Sequence, residues 1–151
     1  MLKKITVGMM LLASVGNLAW LESAKASFQG QLMVNIDGLK NQQGQVCVNL
    51  FASSQGFPGD RQRVFQKQCA KISETPLQVS FNNLPAGSYA VAVIHDQNGD
   101  RTLNRNSLGM PTEGVGFSRN PVVRTQAPKF SETVVLVAGP NTNINIQMKY
   151  F

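Results

Sequence analysis

Side chains with oxygen atoms alternate along the segment that follows the apolar run ending at Ile94. Asp96, Asn98 and Asp100 occupy the first, third and fifth positions of a calcium-loop frame, with Leu103 at the eighth and Asn104 at the ninth. Carboxylate and amide oxygens at these spacings are hard ligands of the kind that Ca²⁺ prefers. The spacing therefore predicts an oxygen-lined cation site.

The same frame departs from an EF-hand at two positions. Arg101 is at the sixth, where an EF-hand has glycine, and Ser107 is at the twelfth, where a bidentate glutamate closes the cage. The metal ligands that we consider are Asp96, Asn98, Asp100, Asn104 and Glu113. With few carboxylates, calcium should bind in the weak extracellular range of roughly 0.1 to 1 mM. The alternative is that these side chains form Asx turns without metal.

His95 is the only histidine, which excludes a site with several histidine ligands within one chain. We expect it to organise the loop by bonding Asp96, Glu113 or the backbone. A competing hypothesis is a small hydrolase in which His95 is the base, Asp96 or Glu113 orients it, and Ser118 is the nucleophile. Because the Gly-x-Ser-x-Gly turn is absent around Ser118, we favour a protein that is not an enzyme. A further alternative is an aromatic platform for a sugar ring, built from Tyr89, Phe117 and Phe130.

Residues 1–26 have the features of a secretory signal peptide. Lys3 and Lys4 precede an apolar stretch, and Ala24-Lys25-Ala26 fits a small-x-small cleavage site. We therefore expect a secreted or periplasmic protein with one domain over residues 27–151. Since polar residues interrupt the apolar stretch, and no later stretch approaches about 18 apolar residues, we expect no stable membrane insertion.

The net charge is only mildly positive once the predicted signal peptide is removed. The formal charge of 14 − 8 = +6 falls to 11 − 7 = +4 without Lys3, Lys4, Lys25 and Glu22. Seven of these eleven basic side chains already span several segments: Arg61, Arg63, Lys67, Lys71, Arg101, Arg105 and Arg119. Because nucleic-acid sites cluster such residues with aromatics, this spread opposes a nucleic-acid partner. The two cysteines, Cys47 and Cys69, are expected to form a disulfide in an oxidising compartment.

Alternation of apolar and polar residues predicts β-strands and almost no helix. Strands are expected around 32–36, 46–50, 64–72, 77–81, 89–94, 133–138 and 143–150. Residues 77–93 are expected to form a hairpin in which Pro85 fixes φ and Gly87 takes a positive φ. Ala90, Ala92 and Ile94 make the second face of their strand apolar, which predicts a central strand covered on both sides. A long loop runs from Asp96 to about Pro128.

This pattern predicts an all-β fold, a single antiparallel β-sandwich of about seven strands with one long functional loop. A closed barrel is the alternative.

Two blocks of residues carry a resemblance to a known family. They are Phe81-x-x-Leu84-Pro85-x-Gly87-x-Tyr89-Ala90-Val91-x-Val93-x-His95-Asp96-x-Asn98-Gly99 and Leu108-Gly109-x-Pro111-x-Glu113-Gly114-x-Gly116-Phe117-Ser118. Together they resemble the secreted bacterial domain-of-unknown-function family 2141, whose hairpin is similar to that of transthyretin-like (prealbumin-like) and carboxypeptidase-regulatory-like sandwiches. The resemblance implies a fold and no established activity. We expect the following residues to organise the loop: His95, Gly99, Gly109, Pro111, Gly114, Gly116, Phe117 and Ser118.

The function that we expect is an exported, non-enzymatic binding or envelope-interaction module, with residues 95–118 as its functional face. Calcium is the candidate cofactor, and the candidate partners are an unknown protein or an envelope polysaccharide. One alternative is the small hydrolase using His95, Asp96 and Glu113. Another is an accessory subunit that binds a partner through an exposed edge strand.

Overall fold

The computed structural model describes residues 28–151, so the predicted signal peptide lies outside the described residues. This region contains eight strands: β1 Gln29–Asp37, β2 Gln45–Phe51, β3 Gln66–Lys71, β4 Leu77–Pro85, β5 Gly87–Asp96, β6 Gly114–Phe117, β7 Val135–Val137 and β8 Asn141–Gln147. A 3-10 turn at Arg61–Arg63 and a one-turn helix, α1, at Phe130–Thr133 complete the elements. No helix within residues 28–151 has the length and apolar character needed to cross a membrane.

The strands form two sheets, which confirms the predicted all-β sandwich. One sheet has three strands in the order β4-β1-β8, and the other has the order β3-β2-β5-β6, with β7 also paired to β5. Every ladder is antiparallel except the one between β1 and β8, which is parallel. The expectation of a purely antiparallel sandwich was wrong in this one ladder.

The main core lies between the two sheets and follows from the alternation in the sequence. Successive side chains of a strand point to opposite faces, so every second residue of β1 enters the core. Leu32, Val34 and Ile36 are fully buried there and meet the inward side chains of β5, Val91 and Val93. Burial of each such side chain stabilises the fold by roughly 1.5 to 3 kcal/mol.

The connection between β4 and β5 passes from one sheet to the other. β4 pairs with β1 and β5 pairs with β2, so the predicted hairpin of these two strands was wrong. Apolar alternation on both strands reflects two inner faces that meet across the core. The positive φ falls at Asn83 (57°) rather than at Gly87. Tyr89 stabilises the crossing, because its hydroxyl donates a hydrogen bond of 2.8 Å to the Pro85 carbonyl.

The long connection after Asp96 contains more structure than we predicted. Residues Gly114–Phe117 form β6, which makes eight strands instead of about seven. Two glycines in this short strand obscure its alternation in the sequence. The helix α1 was also not predicted, and it is held by a Glu132 carboxylate that accepts a hydrogen bond from the Lys129 backbone N–H at 2.6 Å. Gly44 lies in the turn before β2 with φ 71°.

β5 is central and covered on both faces, which confirms the prediction from its sequence. β2 lies on one side of it, and β6 and β7 lie on the other. Its outward residue Ala92 packs in a second apolar cluster with Phe51, Val115 and Phe117. The segments that follow β2 and β6 therefore cover the outer face of the five-stranded sheet.

The predicted disulfide between Cys47 and Cys69 is present. The two residues are directly opposite each other on β2 and β3. With 22 residues of sequence separation, the cross-link should stabilise the fold by roughly 3 kcal/mol on the chain-entropy model. It anchors β3 to the rest of the sheet.

Candidate functional site

The Asp96 carboxylate is fully buried and holds the start of the loop after β5. Its Oδ1 accepts a hydrogen bond from the Gly99 backbone N–H at 2.9 Å. Its Oδ2 accepts from the Arg101 N–H at 2.9 Å and from Gln45 Nε2 at 2.8 Å. Three donors satisfy this buried charge and fix the turn that follows β5.

Glu113 joins the two ends of the same loop. Its Oε1 accepts a hydrogen bond from the Gln97 N–H at 2.9 Å, and its Oε2 accepts from the Asn104 N–H at 3.1 Å. The side chain is only 5% exposed. Glu113 therefore holds together the backbone groups that lie before and after the loop tip.

Asp100 lies at the exposed tip of this loop, among the amides of Asn98 and Asn104. Its Oδ2 accepts hydrogen bonds from both amide nitrogens at 3.0 Å, and its Oδ1 accepts from the Thr102 N–H at 2.7 Å. The hydrogen bond from Asn104, followed by that from the Thr102 backbone, lowers the pKa of the Asp100 carboxyl. The bond from the Thr102 N–H is an Asx turn, as the metal-free alternative predicts.

The five predicted ligands thus lie in one loop, but their oxygens face N–H donors. Within residues 28–151 no group of three or more His, Cys, Asp or Glu side chains converges as a metal site would. Calcium binding here stays a prediction. Arg101, at the position where an EF-hand has glycine, adopts a left-handed φ of 62°.

His95 is fully buried, and its two ring nitrogens bond the backbone and a tyrosine. Nε2 lies 2.8 Å from the Gln43 carbonyl, which only accepts, so this nitrogen carries the proton. The Tyr150 hydroxyl accepts from the Lys40 N–H at 3.0 Å and donates to His95 Nδ1 at 2.7 Å. Burial raises the pKa of Tyr150. The expected partners Asp96 and Glu113 are replaced by Tyr150, while the backbone partner is confirmed.

Ser118 lies far from His95 on the same sheet. His95 is opposite Gly114, and Ser118 follows four residues later, roughly 13 Å along the strand. The Ser118 hydroxyl is buried, accepts from the Val91 N–H and donates to the Thr133 carbonyl. His95, Asp96 and Glu113 are buried as well, and do not open onto a cleft. This geometry opposes the hydrolase hypothesis.

Gly99 and Gly109 take the expected turn conformation, each with φ 77°. Gly114 and Gly116, which we expected to organise the loop, pack against the last segment of the chain. A Cβ on Gly114 would overlap the Tyr150 ring, and one on Gly116 would overlap Ile146. Both glycines are therefore needed where β6 passes beneath residues 146–150.

The aromatic platform does not form. Tyr89 belongs to the main core between the sheets and contacts Phe65. Phe117 and Phe130 pack on the outer face, where both contact Phe57. Tyr89 and Ala92 lie on opposite faces of β5. The rings of Phe117 and Phe130 pack on the same face as Ala92, so the sheet lies between them and Tyr89.

A cleft of about 270 Å³ lies on the outer face of the five-stranded sheet, and we call it the basic cleft. Its floor includes two rows of residues that are neighbours in register across the strands. One row is Lys67–Asn49–Ala92–Phe117, and the next contains Ile94 and Val115. Directly opposed residues share a face, so the floor is apolar around the amide of Asn49. Its walls are contributed by the loops after β2, β5 and β6.

Five cationic side chains line the basic cleft: Arg61, Lys67, Arg101, Arg105 and Arg124. Among residues 28–151, no aspartate or glutamate side chain lines it. Partial burial, followed by repulsion from Arg61 and Arg101, lowers the pKa of the Lys67 ammonium. An anion in the cleft would relieve this repulsion.

The sequence did not reveal this grouping, although most of its members were noted individually. Arg61, Lys67 and Arg101 belong to three separate segments, and only the strand order β3-β2-β5 brings these segments together. Arg124 was missed altogether. The apolar outer face of β5 was the one signal in the sequence that pointed to a covered surface here.

The sheet edges bear on the hypothesis of a partner-binding strand. The Asn120 side chain accepts from the Gln147 N–H at 2.8 Å and donates to the Asn145 carbonyl at 3.0 Å, so it occupies the edge of β8. Gln68 donates to the Ser80 carbonyl on β4 at 2.6 Å. Side chains that occupy edge backbone groups block pairing with another chain, which gives this hypothesis no support.

A family model described as "Uncharacterized protein conserved in bacteria (DUF2141)" matches residues 34–145. No curated protein matches the chain. No solved structure matches it either, so the expected transthyretin-like relationship stays a prediction.

Proposed function

The chain belongs to the DUF2141 family, and on that premise we propose that it is a non-enzymatic binding protein whose basic cleft takes a ligand with an anionic group and an apolar portion. One observation carries the proposal: five cations surround an apolar floor that no acidic side chain lines. Such a surface favours an anion through the cations and an apolar group through the floor.

The charge arrangement supports an anionic ligand. Partial burial lowers the pKa of Lys67 most, and repulsion from Arg61 and Arg101 lowers it further. Such repulsion between like charges is unfavourable, and a bound anion would offset it. Arginine supplies planar, multidentate donors for carboxylate, sulfonate and phosphate groups. Four of the five cations are arginines. An anionic group would therefore gain charge-assisted hydrogen bonds on binding.

The floor supports an apolar portion. Ala92, Ile94 and Val115 lie there beside Phe117, and Leu103 and Met110 contribute from the loop after β5. Burial of an apolar group there would contribute about 25 cal/mol per Å² of apolar area removed from water.

The cleft overlaps residues 95–118, which we expected from the sequence to form the functional face. Arg101, Arg105 and Phe117 belong to residues 95–118 and line the cleft. In this reading Asp96, Asn98, Asp100, Asn104 and Glu113 shape the loop that forms one wall. The ligand contacts belong to the cations and the floor.

Titration calorimetry with three related compounds tests the proposal. Naphthalene-2-sulfonate has both the anion and the apolar rings, naphthalene-2-sulfonamide lacks the charge, and methanesulfonate lacks the rings. We expect the sulfonate to bind more tightly than either of the others. Binding of the sulfonamide at equal strength would contradict the role of the cations.

A matched pair of variants places the binding in the cleft. Arg61 lines it, while Arg63, two residues away in the same 3-10 turn, does not. Arg61→Gln should weaken naphthalene-2-sulfonate binding about five- to tenfold, or about 1 to 1.4 kcal/mol. Arg63→Gln should change it little. Equal losses of affinity in the two variants would show that binding responds only to net charge, which would contradict binding in the cleft.

A further inference from the structure

We propose that the rim of the basic cleft docks on the surface of an anionic lipid membrane, with Leu108 and Val122 entering the interface. This inference rests on the proposed function, because it names the source of the anionic group as a lipid headgroup. Leu108 is 85% exposed and Val122 is 82% exposed, the two highest values among the exposed large apolar side chains of residues 28–151.

Both side chains are on segments that line the cleft. Leu108 lies between Arg105 and Met110, and Val122 comes two residues before Arg124. Each exposed apolar residue thus lies within three residues of a cation of the cleft. Apolar side chains beside cations are the combination that binds anionic membrane surfaces, since the first enter the acyl boundary and the second pair with phosphates.

The structure holds Leu108 out in a rigid turn. The Asn106 Oδ1 accepts hydrogen bonds from the Leu108 and Met110 N–H groups, both at 3.0 Å. Arg105 Nη1 donates to the Gly109 carbonyl at 2.9 Å, and Gly109 has a φ of 77°. A tip that is already ordered loses little conformational entropy when it inserts.

Val122 is also on an anchored segment. On one side, Asn120 bonds the backbone of β8 through both atoms of its amide. On the other side, Val123 packs against the second apolar cluster. The chain between these two anchors exposes Val122 while its neighbours are held. Charge complementarity then selects a lipid surface that is anionic.

Co-sedimentation with vesicles tests this inference. The chain without the predicted signal peptide, residues 27–151, is mixed with vesicles of phosphatidylglycerol in phosphatidylcholine or of phosphatidylcholine alone. We expect binding only to the anionic vesicles. The double variant Leu108→Ser, Val122→Ser should lose roughly tenfold or more in vesicle affinity, because its apolar anchors are gone. Its affinity for naphthalene-2-sulfonate should not change.

The control variant is Leu136→Ser, which removes a 64% exposed leucine on β7, a strand that does not line the cleft. It should bind anionic vesicles as the wild type does. Vesicle binding that survives the double variant, or that falls equally in the control, would overturn the inference. So would binding of dextran sulfate without binding of vesicles, which would identify an anionic polysaccharide instead. Absence of vesicle binding alongside tight naphthalene-2-sulfonate binding would overturn the lipid assignment and leave the proposed function standing.

Discussion

A single buried carboxylate connects the loop after β5 to the wall of the basic cleft. Asp96 accepts the backbone N–H of Arg101, whose φ of 62° is uncommon outside glycine. The hydrogen bond therefore stabilises a strained turn at a residue that lines the cleft. The spacing of Asp96, Asn98 and Asp100 correctly located this organised loop. It did not tell a metal cage from Asx turns, because both use the same oxygens.

Asp96→Asn tests the role of this carboxylate as a loop organiser. The new amide nitrogen would face N–H donors at one of the two oxygen positions, so we expect a loss of roughly 1 to 3 kcal/mol in unfolding free energy. Urea unfolding in the presence of a chelator measures it. Asp100→Asn, at the exposed tip, should lose less, because water replaces its partners. Unchanged stability of Asp96→Asn in chelator would show that the buried hydrogen bonds do not organise the loop.

The same experiment in millimolar calcium examines the cation site. A ligand that binds only the folded state raises stability in proportion to the logarithm of its concentration over Kd. If the loop binds calcium, the wild type should unfold at higher urea in calcium than in chelator, and Asp96→Asn should show a smaller difference. If the wild type unfolds at the same urea concentration in calcium and in chelator, calcium binding by this loop is contradicted.

At the scale of the elements, alternation predicted most strands but not their partners. β1 and β5 carry clear apolar faces, and both were located. Which strands pair depends on which apolar faces meet across the core. β4 and β5, which we expected to form a hairpin, therefore lie in different sheets. β6 has too few residues and too many glycines to show a period. The basic cleft depends on these same partners, which is why it could not be predicted.

β3 gives a prediction in which stability and binding change in opposite directions. Lys67 lies in the cleft with a lowered pKa, whereas Lys71 on the same strand does not line it. Lys67→Gln should raise the unfolding free energy by roughly 0.2 to 1 kcal/mol, because it removes repulsion among surface charges. It should also weaken naphthalene-2-sulfonate binding.

Lys71→Gln should leave that binding near the wild-type value. The sign for Lys67 follows from linkage: a lysine whose folded pKa is lowered opposes folding while it is protonated, and the cost disappears as pH rises past its unfolded pKa. Urea unfolding near neutral pH therefore reports the full effect. A Lys67→Gln variant that is less stable than the wild type would contradict the repulsion.

At the scale of the whole molecule, the outer faces of the two sheets differ. The outer face of the three-stranded sheet displays the amides of β1 and β8, among them Asn35 and Asn145, which bond each other at 3.0 Å. The outer face of the five-stranded sheet is covered by three loops that leave the basic cleft between them. The sandwich thus presents one recessed cationic surface on a rigid support.

Amide chemical shifts recorded during a titration with naphthalene-2-sulfonate test whether this surface binds the compound. We expect saturable shifts concentrated around Lys67, Ala92, Arg101 and Phe117, with β1, β4 and β8 unchanged. Saturable shifts centred on β1, β4 or β8, or no shifts at all, would contradict it.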